Sequence, residues 1–286
     1  MVESIKIISP AGTGVRGFFN PVRIVVHLWK YRDLIRQLTW REVVGRYKGS
    51  IVGLGWSFIQ PVIMLCVYTF VFSVIFKARW GIEAGEGKAA FALALFMGMI
   101  TFSVFSEVAT SAPSLVLANA NYVKKVVFPL EILPLVKLFS ALINALFSLA
   151  VLLVGILIIN HFIHWTALLL PLVWMPMMLF TLGFGYFLAS LGVFVRDIGT
   201  AIGVVTTMLF FLTPIFYPIS AVPEPFRIFC RINPLALFVE DARRVVLWGI
   251  SPDWPWFFFG MALSVAAAIF GFVWFMKSKK AFADVI

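Results

Sequence analysis

Residues 135–159 read LVKLFSALINALFSLAVLLVGILII, and after Lys137 no Asp, Glu, Lys or Arg interrupts the run. A helix rising about 1.5 Å per residue over this stretch is long enough to cross a hydrocarbon core roughly 30 Å thick. Within a bilayer the backbone must satisfy its own hydrogen bonds, and an apolar run of this length does so as a helix. The rest of the chain agrees. Of its 286 residues 62% are hydrophobic and only 13% are charged, against about 25% charged in a soluble domain. The fold class is an all-α integral membrane protein.

Further apolar spans extend outward from this one. The reading places six, at 50–76, 89–111, 135–159, 166–194, 200–216 and 256–276. It divides the chain into an N-terminal segment, 1–49, with amphipathic interface helices, and a six-span transmembrane domain, 50–286. Short helices within 217–255 form a re-entrant or external hairpin between spans 5 and 6. An even number of spans puts both termini on one side. That side carries sixteen of the 23 Lys and Arg residues, so the positive-inside rule makes both termini cytoplasmic. The net charge of +10 is explained by the same rule, with anionic lipid headgroups as partners and no nucleic acid. Cys66 and Cys230 form no metal spacing or disulfide framework. The first residues lack a continuous apolar core and a cleavage site, so no signal peptide is read.

A charged segment runs straight into span 1. Asn20-Pro21 reads as a helix start, after which Ile24, Leu28, Tyr31, Leu34, Ile35 and Leu38 share one face. The next apolar residues, Trp40, Val43, Val44 and Tyr47, fall on another face. Thr39-Trp40-Arg41-Glu42 fits a capping box. The expectation is two helices with a bend at Thr39, the first on the lipid surface and the second ending near Gly49.

Two connections are long. The inner one, 115–134, carries Tyr122, Lys124 and Lys125, then a short helical piece bounded by Pro129 and Pro134, on which Glu131 reads as an isolated carboxylate. The outer one, 213–256, holds seven of the 15 prolines. In it a short helix is expected from Pro225 to Arg231. A longer one starts at Asn233-Pro234 and stops at Gly249, with Glu240, Arg243 and Arg244 on its polar face.

Catalytic and nucleotide motifs are missing. His27, His161 and His164 have no metal spacing. Gly87-Lys88 is followed by Ala89 and has Ile82 where a phosphate-binding loop needs glycine. The expectation is a chain that is not an enzyme and binds no cofactor. Glu107 is the one carboxylate placed inside a span, where such residues are costly and often functional.

Three segments in order carry a resemblance: RYKGSIVGLGWSFIQP (46–61), NANYVKKVVFPLEILP (119–134), and TPIFYP followed by VPEPFR, NPL and Arg243. Together they resemble type-2 ABC exporter permeases, and within those the branch that exports O-antigen, capsule and teichoic acid. The resemblance implies a permease homodimer in the bacterial inner membrane with two copies of a separate ATPase subunit. ATP and magnesium would sit on that partner, and the substrate would be a polysaccharide on a polyprenyl pyrophosphate or other lipid. It implies ATPase coupling through Thr39, Glu42, Arg46, Tyr47, Lys48, Tyr122, Lys124, Lys125 and Glu131. It also implies a substrate path or exit near Glu107, Tyr217, Arg227, Arg231, Arg243 and Arg244. A same-family permease for a small lipid or drug and a membrane enzyme acting on polyprenyl-linked sugars stand as alternatives.

Overall fold

The computed structural model describes residues 21–75, 88–121 and 128–285, and every regular element among these residues is helical. Among the described residues five helices are long and apolar enough to cross a membrane. The first combines a short 3-10 turn, α3 (Trp56–Tyr68) and a π turn at Thr69–Ile75. The others are α4 (Lys88–Ala118), α5 (Leu133–Asn160), α6 (Leu170–Phe194) and α10 (Trp254–Ser278). The sixth expected span is the shorter α7 (Ile198–Leu212), whose 15 residues reach only about 22 Å. Thr213 ends it in an extended conformation just before Pro214, because the residue before a proline avoids the α region.

Two helices, α1 (Pro21–Trp29) and α2 (Arg32–Gly45), precede these. The break between them falls at Lys30 and Tyr31, not at Thr39. Thr39 lies inside α2 and is buried, and its hydroxyl makes no capping bond. The error has a clear cause. The buried stripe Ile35, Thr39, Val43 follows i, i+4, i+8, so one face continues through a polar residue. Trp40 and Val44 are exposed and do not define a new face. Of the inner connection, the short helical piece after Pro129 is present, but Pro134 does not bound it. A 3-10 turn at Leu130–Ile132 leads directly into α5, with Pro134 in the first helical turn, where its missing N–H costs nothing.

The 213–256 connection is helical over two stretches. It contains α8 (Glu224–Ile232) and α9 (Pro234–Val246). The Asn233 side chain caps α9 by accepting from the Leu235 N–H, and Gly249 adopts φ 67° after the helix. The chain ends with α11 (Phe282–Val285).

The core is organised around α4 and α6. Of the most apolar window of α4, 78% is buried, against 6% for the α3 span. Helix α6 packs on α10 through glycines: a Cβ at Gly183 would strike the Ala267 backbone, and one at Gly271 the Gly183 backbone. Gly192 likewise lies against Pro113 of α4. Small residues permit such close approach where lipid offers no hydrophobic drive between helices.

Candidate functional site

At the end of the bundle where α4 finishes and α5 begins, charged side chains lock the elements together. Helix α2 lies along α5 through its Ile35–Thr39–Val43 stripe. Beyond that stripe, Lys137 of α5 donates to Glu42 Oε1 at 2.9 Å and lies 3.6 Å from Glu107 of α4. Arg46, just past α2, donates to both carboxylate oxygens of Glu107, with Nη1 to Oε2 at 3.2 Å. Its Nη2 also reaches Ser140 Oγ at 3.3 Å. Two acids and two bases from three elements therefore form one network. Burial disfavours the Arg46 guanidinium, but the hydrogen bond and charge of Glu107 outweigh it and raise its pKa. A fork-to-carboxylate pair fixes orientation as well as distance, so it ties the end of α2 to α4.

A second knot lies nearby. Glu131 is not isolated. Its side chain is 4% exposed and accepts from His27 Nε2 at 2.9 Å and from Lys279 Nζ at 2.6 Å. An ionised carboxylate only accepts, which assigns the Nε2–H tautomer or the doubly protonated ring to His27. The Tyr186 hydroxyl of α6 donates to the Glu131 carbonyl at 2.7 Å. The knot joins α1, the α5 start, α6 and the C-terminal end of α10.

Of the remaining residues proposed for coupling, Tyr47 is half-buried and Lys48 exposed. Tyr122, Lys124 and Lys125 lie outside the described residues, as does the side chain of Arg231. Lys137, His27, Lys279 and Tyr186 were missed. The available signal was charge pairing: Glu107 and Lys137 are opposite charges in separate apolar spans, and intramembrane charges usually pair.

At the opposite end, Arg243 is not on a polar face. It is fully buried and donates to the carbonyls of Ala94 (Nε, 2.8 Å), Pro214 (Nη1, 2.6 Å) and Ile215 (Nη2, 2.8 Å). Gly98 makes room for it, since a Cβ there would meet the guanidinium. Burial lowers its pKa to about 10, opposed by the charge and hydrogen bond of Glu240, so it stays charged at neutral pH. The residue staples α9 to α4 and to the turn after α7. Arg244 donates to Ser251 O at 3.0 Å, Arg227 to Val222 O at 2.8 Å and Ser220 O at 3.1 Å, and Tyr217 to Phe211 O at 3.1 Å. Each of these three braces nearby backbone.

Comparison with known proteins gives a consistent answer. Residues 33–247 match the family described as ABC-2 type transporter. An O-antigen export system permease protein, RfbA, from Myxococcus xanthus is 27% identical over 234 residues, covering 81% of this chain and 87% of that protein. RfbA from Klebsiella pneumoniae is 24% identical over 256 residues, covering 89% and 95%. The polysialic acid transport protein KpsM of Escherichia coli is 23% identical over 222 residues, covering 75% and 81%.

Proposed function

The chain belongs to the ABC-2 type transporter family, and from that premise we propose that it is the membrane subunit of an ATP-driven exporter of lipid-linked polysaccharide such as O-antigen. It works as a homodimer with two ATPase subunits in the bacterial inner membrane. The α4–α5 end, with both termini, faces the cytoplasm, and α8 and α9 lie on the outer side. Helix α7 serves as a sixth, short span completed by its flanking residues. This chain binds no cofactor; ATP and magnesium belong to the ATPase.

The observation that carries the reading is the network of Glu42, Arg46, Glu107 and Lys137. An ATPase moves on nucleotide binding, and a permease must convert that movement into motion of its spans. Helix α2 has the required arrangement. Glu42, with Arg46 just past the helix, is ion-paired to α5 and α4, while Trp40 and Arg41 of the helix and Lys48 of the turn after it are exposed. The exposed face docks the ATPase and the paired face passes the motion on.

The test is genetic and biochemical. Deleting the gene should remove surface polysaccharide, and complementation should restore it. Reversing Arg41 and Lys48 together to Glu should abolish co-purification of the ATPase without lowering the amount of permease. Unaltered surface polysaccharide in the deletion strain would reject the assignment.

A further inference from the structure

A cleft of about 290 Å³ opens between α3, α4 and α5, near the lower edge of the roughly 300–1,000 Å³ usual for small-ligand sites. Its floor is the Arg46–Glu107 pair, and it follows α4 from Glu107 up to Phe96, about 16 Å along the helix. Although it is cut into membrane helices, much of its lining is polar. Ser57 is 5% exposed and lines the cleft, and its Oγ has no hydrogen-bond partner among the described residues. The same holds for both amide atoms of Asn144. Unpaired polar atoms among apolar helices are costly and call for a partner that both donates and accepts.

We infer that this cleft holds a short stretch of uncharged sugar rings of the transported glycan. The inference rests on the exporter reading above and adds the place where the substrate is gripped. Three features select this ligand. First, the charges at the floor cancel: Arg46 is matched by Glu107 and Lys137 by Glu42. A phosphate or pyrophosphate would meet the Glu107 carboxylate without a spare cation. Second, the polar lining suits hydroxyls. The Asn144 amide offers a donor and an acceptor, and Ser103 and Ser148 donate to their own helix carbonyls, Ile100 O at 2.7 Å and Asn144 O at 3.3 Å. Their oxygen lone pairs remain as acceptors. Third, Tyr68 and Phe96 line the upper part and supply aromatic surface for the apolar face of a sugar ring.

The complete exporter in polysaccharide-producing cells provides the test. With p-benzoylphenylalanine introduced at Asn144, irradiation should attach a glycan ladder to the permease, visible by periodate oxidation and hydrazide labelling. The same probe at Leu146, an exposed apolar position on α5, should gain no glycan. Separately, Ser57→Ala combined with Asn144→Leu should lower export roughly tenfold at an unchanged level of assembled complex. The inference is overturned if the Asn144 probe captures only lipid or a second permease copy, or if the double variant exports normally. Surface polysaccharide that persists when the gene is deleted overturns the exporter reading as well. Polysaccharide lost on deletion but exported normally by the double variant overturns the cleft alone.

Discussion

Arg243 and Asp241 are two residues apart on α9, and the fold buries both. Arg243 supplies three charged donors to three carbonyls on two other segments. Arg243→Met should therefore cost about 3 kcal/mol or more, because Glu240 loses its cation too. Arg244→Ala, which loses one bond to a nearby carbonyl, should cost about 1 kcal/mol. Thermal unfolding in detergent separates the two, and equal losses would contradict the staple. Asp241 supplies a pH dependence. Its side chain accepts from the Asp253 N–H at 3.1 Å. Burial pushes its carboxyl up from 3.8 to about 6, opposed by that hydrogen bond and by Arg244. The folded state thus holds the proton more tightly than the unfolded one. The stabilisation is complete below about pH 4 and is lost as pH rises through about 6, a change of roughly 3 kcal/mol. Asp241→Asn keeps the acceptor and removes the titration. The melting temperature of the variant should fall less between pH 5 and 7.5, and a slope identical to wild type would exclude Asp241 as its source.

At the scale of the element, α2 shows where sequence reading works and where it fails. That it is helical was legible from periodicity, whereas Glu42 and Arg46 were singled out only through the family resemblance. The position of the break was not legible. The reading paired Thr39 and Glu42 as a capping box, whereas Thr39 is buried inside α2 and Glu42 is ion-paired to Lys137 of α5. Hydrophobic periodicity cannot register a polar residue buried by a partner about a hundred positions away. The same blindness put Arg243 on the wet face of α9, although the boundaries of that helix were marked correctly by Asn233-Pro234 and Gly249. The two accounts of Thr39 differ measurably. As a helix cap, Thr39→Ala would cost about 1 kcal/mol. In the interior of α2, with its hydroxyl unpaired, the substitution should be neutral or slightly stabilising, read as complex melting temperature. The network itself should behave as a unit. Arg46→Gln and Glu107→Gln should each reduce export per ATP hydrolysed while leaving the ATPase bound. The double variant should be little worse than either single, with a coupling of about 0.5–3 kcal/mol where stability is measured. Strict additivity would show that the pair does not act together.

Across the whole molecule, the apolar runs made five long spans legible, and glycines at 183, 192 and 271 close α6 onto α4 and α10 in a way that no periodicity announces. The Glu131 knot was the least legible feature, since its members are 104 and 148 positions from their partners. It also has the widest reach, because one buried carboxylate holds both α1 and the C-terminal end of α10. Its energetics should be asymmetric. His27 and Lys279 are 26% and 30% exposed at the side chain, while Glu131 is 4% exposed. Glu131→Gln leaves His27 and Lys279 able to turn toward solvent, and its cost should be modest. His27→Phe with Lys279→Met instead leaves a buried carboxylate without a counter-charge, a loss of about 3–5 kcal/mol. Adding Glu131→Gln to that pair should restore much of the lost stability, since the orphaned charge disappears. Melting temperature and the yield of folded protein from membranes report the order, with the triple variant above the double. A triple variant no better than the double would mean that the knot holds α1 and the end of α10 by packing, and that its charges contribute little.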